Sequence, residues 1–130
     1  MKSRSHTALV WLFLLNVVLL TVHEIDSAYW HEWELLRLPG GIQFFLILHI
    51  PLLGGILFGF WRVVLWERGA RLFSCTVAGI GVGAVALHTV FIFAGNPEFR
   101  QPVSLMVLAG VLVVSCLQIT MTYYSPARFE

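Results

Sequence analysis

The sequence predicts an all-α protein: a four-transmembrane-helix bundle, running up-down-up-down, with N- and C-termini cytoplasmic. Three observations lead there. Hydrophobic residues fill 58% of the 130 positions and charged residues only 12%, and mean hydropathy is +0.84, well outside the composition of a soluble domain. Four apolar stretches reach the roughly 20 residues that a helix needs to cross about 30 Å of hydrocarbon. Turn-forming sequence separates them. The length leaves room for one bundle, so residues 1–130 form a single domain.

The first helix is expected over about 7–27. The basic stretch from Met1 to His6 followed by an apolar run has the outline of a signal peptide. However, Asp26 stands at the −3 position before the candidate small residues Ser27 and Ala28, which suits cleavage poorly, so the segment is read as a retained anchor. The second helix, about 41–61, follows Leu38-Pro39-Gly40-Gly41, and Pro51 inside it removes a backbone donor and kinks the chain near His49. The third, about 75–95, follows Glu67-Arg68-Gly69-Ala70-Arg71. The fourth, about 103–124, follows Gly95-Asn96-Pro97.

Orientation follows from the basic residues of short loops. Lys2, Arg4, Arg62, Arg68, Arg71 and Arg128 fall on one side, against Arg37 and Arg100 on the other. The expected location is therefore a plasma membrane, a bacterial inner membrane, crossed several times with both termini inside. Tyr29, Trp30 and Trp33 should mark the outer interface, and Trp61, Trp66, Tyr123 and Tyr124 the inner one. Cys75 and Cys116 are predicted at different depths on or near a reducing side, so they are read as small apolar packing residues rather than a disulfide.

The strongest functional lead is the run HEIDSAYWHEWE from His23 to Glu34. Ionisable groups are costly in hydrocarbon and are usually paired, hydrated or functional beside it. The apolar part of the first helix is short of a full crossing, which draws His23, Glu24 and Asp26 inside the membrane boundary. His23 and Asp26 share a face, Asn16 lies two turns before His23 on the same stripe, and Glu24 and His31 share a face if the helix persists. His49 and His88 fall about 12 Å and 10 Å below the outer ends of their helices, at similar depth. The spacings Gly55/Gly59 and Gly79/Gly83 suggest close approach of the second and third helices in a register that aligns the two histidines.

His23, Glu24, Asp26, His49 and His88 are therefore the candidate metal ligands, with His31, Glu32 and Glu34 around them as supporting groups or a vestibule. Imidazole and carboxylate suit zinc, manganese or iron, and a bundle interior is a common place for such an ion. The metal could serve an enzyme acting on a lipid or small amphiphile, but HE followed by HEWE is not the HExxH spacing, so no motif assigns a hydrolase. The same groups also suit a proton-relay or transport module. His49 and His88 suit haem b as axial ligands from opposing helices. A fourth alternative is a non-catalytic membrane accessory subunit, in which the histidines bond across helices and Glu34 pairs with Arg37. Ser115, Gln118, Thr120 and Thr122 are expected to bond across helices or to backbone. Membrane lipid is the expected partner, with no nucleic acid and a homo-oligomer through the glycine-rich faces.

The segments HEIDSAYWHEWELLRLPG and GIQFFLILH resemble the signature of an uncharacterised family of small bacterial four-helix integral membrane proteins. More loosely, the chain is similar to HXXEE-type membrane proteins, although His31-Glu32-Trp33-Glu34 departs from that spacing. The first resemblance covers nearly the whole chain and implies architecture and a bacterial membrane. Neither family implies a catalytic residue.

Overall fold

A computed structural model describes residues 4–125. Lys2 and Arg128, which contribute to the predicted orientation, lie outside the described residues. The elements in chain order are α1 (Arg4–Tyr29), α2 (Glu32–Leu35), α3 (Gly41–Leu65), α4 (Ala70–Phe93) and α5 (Pro102–Tyr124). The four long helices are each apolar and long enough to cross a membrane. The protein is all-α, and α2 is a short turn of helix between α1 and α3.

Local chemistry explains the boundaries. Gly40 and Gly69 adopt left-handed backbone, φ 90° and 86°, immediately before α3 and α4, a conformation that glycine takes without a Cβ clash. Pro102 opens α5, where a missing N–H leaves nothing unsatisfied. The second and third long helices extend beyond the expected limits, to Leu65 and from Ala70. Their ends are polar: Arg62 pairs with Glu67 at 3.1 Å, and Arg71 donates to the Ser125 carbonyl. Such helical ends continue past the apolar window because their side chains reach water or headgroups.

The core is built on a repeat of alternating threes and fours. In α1 the buried positions are His6, Leu9, Phe13, Asn16, Leu20, His23 and Ser27, and in α5 they include Ser104, Leu108, Val111, Ser115, Gln118 and Thr122. This is the spacing of knobs-into-holes packing in left-handed bundles. α1 packs against α3, α4 and α5, and α4 packs against α3 and α5. At one end His6 Nε2 donates to the Val63 carbonyl at 2.8 Å, tying the start of α1 to the end of α3. At the other, the ends of α1 and α4 meet through His23 and His88.

Several polar seam residues form a network joining α1, α4 and α5. Asn16 Nδ2 donates to Gln118 Oε1 at 2.8 Å and to Ser115 Oγ at 3.1 Å. Gln118 Nε2 donates to the Ser74 carbonyl at 2.9 Å, and the hydroxyls of Ser74 and Thr122 share a bond of 2.7 Å. Thr120 bonds instead to the Cys116 carbonyl of its own helix.

Two expected features differ. Gly55, Gly79 and Gly83 have open space where a Cβ would stand, so they do not form a close α3–α4 seam. Close approach occurs at Gly59 against Phe73 and at Gly81 against Ser115. Trp33 is buried, and Trp66 is half-buried against His6, with ring centroids 5.3 Å apart. These two indoles close the ends of the bundle, while Tyr29, Trp61, Tyr123 and Tyr124 stay exposed. Cys75 and Cys116 are both free, half-buried and exposed respectively.

Candidate metal centre

The end of α1 does not continue as a helix through His31. The chain turns after Tyr29, and His31 takes left-handed backbone, φ 53°, ahead of α2. This reversal separates Glu24 from His31 and folds α2 back over the bundle. Glu32 and Trp33 are consequently buried, and His31 and Glu34 are left exposed. His31 Nδ1 lies 3.9 Å from Glu34 Oε1, so Glu34 faces His31 rather than Arg37. Trp33 packs on Phe45, with ring centroids 5.4 Å apart.

Beneath this cover lies a cavity of about 230 Å³ bounded by α1, α2, α3 and α4. Its polar lining is His23, Glu24, Glu32, His49 and His88. Three of these, His23, Glu32 and His88, place a ligand atom each within 4.8 Å of the others, and all three residues are buried. Ligand atoms around a tetrahedral ion with bonds of about 2.0–2.2 Å stand roughly 3.4 Å apart. Small side-chain movements therefore suffice to close the three around an ion.

His88 is fully buried and oriented on two sides. Its Nδ1 lies 2.8 Å from the Ala84 carbonyl. A carbonyl only accepts, so Nδ1 carries the proton, and Nε2 of the neutral ring keeps its lone pair. Among the described residues, that Nε2 is buried without a hydrogen-bond partner. It faces Glu32 Oε1 at 3.8 Å, and the His23 ring stands nearly perpendicular to the His88 ring, with centroids 4.6 Å apart. A histidine that gives one N–H to a carbonyl and leaves the other nitrogen free is arranged as metal-ligating imidazoles are.

Glu24 and His49 form a separate pair on the same cavity. His49 Nδ1 donates to the Phe45 carbonyl at 2.6 Å, and its Nε2 meets Glu24 Oε2 at 2.7 Å. One proton is held between this imidazole and this carboxylate. Asp26 belongs to neither group: it lines a different cleft, between α1 and α5.

A sequence profile for a family of unknown function, DUF6713, matches residues 9–125, and with them every residue of this cavity. The chain belongs to the DUF6713 family. No curated protein and no solved structure matches it.

In this DUF6713 chain the sequence identified the two histidines, whereas the contribution of Glu32 depends on the reversal at His31. Phe99, which no motif or helical periodicity marks, also shapes the site. It is fully buried and stands edge-on to His88.

Proposed function

We propose that this chain is a bacterial inner-membrane metalloprotein, with alternate membrane crossings and both termini cytoplasmic, whose His23, Glu32 and His88 bind a divalent ion near the outer face. The observation that carries this reading is the fully buried Nε2 of His88, unpartnered among the described residues and facing a carboxylate and a second imidazole. An unsatisfied buried acceptor is a rarity that calls for a reason. A metal ion would supply one.

Two imidazoles and one carboxylate form the ligand set of many catalytic zinc sites and of non-haem iron sites, and such sites keep a position open for a reactant. When bound, the ion would polarise water or a ligand oxygen. Glu24 lines the same cavity, and His49 Nε2 holds its Oε2 in place, so the carboxylate oxygen left over is the one able to accept a proton. Leu48, exposed on α3, and Gly83, exposed on α4, lie on the cavity's rim. An amphiphile could therefore approach from the lipid side with its polar group toward the ion. The substrate class that fits is a lipid or small amphiphile of the outer leaflet.

The short Glu24–His49 contact favours a second reading, a proton relay. Against it, Leu20, Val77 and Val111 form an apolar layer between the cavity and the Asn16–Gln118 network. A proton crossing the bundle would have to bridge that layer. His49 Nε2 and His88 Nε2 face different carboxylates, so haem b ligation would require both rings to leave their present partners.

The deciding experiment is elemental analysis of detergent-purified full-length protein beside His88→Ala and Glu32→Gln variants that retain helical circular dichroism. Near-stoichiometric zinc, manganese or iron in the parent, lost in both variants, is the expected result. A parent that takes up no metal on reconstitution while proteoliposomes carry proton flux would replace this reading with the relay.

A further inference from the structure

A second cleft opens on the opposite side of α1 from the metal centre. It measures about 480 Å³ and lies between the end of α1 and the start of α5, within the size range of small-ligand sites. Its deeper walls are apolar, Val22 and Val107. Toward the helix ends it carries Asp26, Trp30 and Ser104.

Three features of this cleft point to a ligand. The half-buried Asp26 carboxylate makes no ion pair or side-chain hydrogen bond among the described residues, although it faces a largely apolar space. It lies beside the Tyr29–Trp30 pair, whose rings meet nearly perpendicularly at 5.0 Å. A carboxylate beside aromatic faces suits an organic cation. Opposite it, Ser104 is only 5% exposed, lines the cleft, and has no hydrogen-bond partner among the described residues. Ser104 sits in the first turn of α5, where Gln101 provides no side-chain cap. The N–H groups of Val103 and Ser104 therefore lack intrahelical acceptors and favour an anion.

A positive group at Asp26 and a negative group at Ser104, with apolar walls leading inward, match one kind of molecule. We propose that this cleft binds a zwitterionic phospholipid whose ammonium lies on Asp26 against Tyr29 and Trp30, and whose phosphate lies on Ser104 and the α5 amides. The acyl chains follow Val22 and Val107 toward the membrane centre. This site shares no lining residue with the metal-centre cavity.

The test is native mass spectrometry of full-length protein in detergent, given equal amounts of ethanolamine and glycerol phospholipids with identical acyl chains. The ethanolamine lipid should be retained at least about tenfold better, as expected for a charge-assisted contact. Asp26→Asn should bring the two to parity, Asp26→Glu should keep the preference, and Ser104→Val should lower retention of both. Parity in the parent protein, a result independent of any variant folding, would overturn the proposal. So would an Asp26→Asn protein that keeps the preference. Soluble glycerophosphoethanolamine should compete only at far higher concentration, and displacement at equal concentration would identify a free headgroup compound as the ligand instead. His88→Ala should leave the lipid preference unchanged, which separates this site from the metal reading.

Discussion

Phe99 stands edge-on to His88, with ring centroids 4.1 Å apart and planes at 86°, and it does so from left-handed backbone at φ 65°. For a bulky residue this conformation is strained by about 1–3 kcal/mol, and it persists where surrounding contacts over-determine it. The compensating contact here is complete burial of the ring against the imidazole.

That balance predicts an inverted preference between small residues. Phe99→Ala should lose packing of about 3–5 kcal/mol and keep the backbone strain, because its Cβ remains at positive φ. Phe99→Gly should be at least as stable as Phe99→Ala, because glycine adopts this backbone without strain. Unfolding of both variants in mixed micelles would check it. A glycine variant clearly less stable than alanine would mean that the backbone at 99 relaxes once the ring is gone.

A metal ligated only in the folded state must stabilise that state. At a concentration about 100 times the dissociation constant, the gain is about 2.7 kcal/mol. Thermal unfolding with added zinc or manganese, then with excess chelator, should show a reversible rise. Glu32→Gln should abolish the rise and Glu24→Gln should retain it, because Glu32 faces His88 while Glu24 is held by His49. An equal response in the two variants would contradict this division of roles.

The part of the architecture readable from sequence was the part written in apolar length and turn chemistry. Four apolar runs and the Leu38-Pro39-Gly40-Gly41, Gly69 and Gly95-Asn96-Pro97 signals suffice for four long helices. The inward faces were harder to read, because a helix surrounded by lipid is apolar outside as well. The side that packs is marked instead by small and polar residues such as Asn16, Ser74, Ser115 and Gln118. Glycine spacing alone misled at Gly55, Gly79 and Gly83, since identical small-residue patterns occur on open faces. The cavity's histidines were legible from depth along their helices. Glu32 was legible only as a group surrounding the site and not as one of its ligands, because its position depends on one left-handed residue, His31, which no periodicity reports.

The polar network makes a prediction separable from metal binding. Asn16→Ala removes the donor to Gln118 and Ser115 together. Interhelical bonds in membranes average about 0.6 kcal/mol and reach about 1.7, and an orphaned buried acceptor adds to the loss. Destabilisation of about 1–3 kcal/mol is expected in denaturing mixed micelles, with metal content unchanged. Loss of metal at equal helicity would show that the network and the cavity are coupled through α1.

The glycines separate packing inside one chain from packing between copies. At Gly81 an added Cβ would collide with Ser115, whereas at Gly79 it meets nothing within 4 Å. Gly81→Ala should force α4 and α5 apart and destabilise the fold, by about 1–3 kcal/mol as overpacked cores do. Gly79→Ala should be neutral or stabilise by up to about 1 kcal/mol through helix propensity. The exposed glycine face of α3 and α4 is also where a second copy would approach if the protein self-associates. Substitution by leucine at Gly79 would then leave monomer stability intact while lowering the dimer fraction seen by cross-linking in liposomes. An unchanged cross-linking pattern would exclude that face as the contact, because a leucine side chain is too large for a small-residue helix crossing.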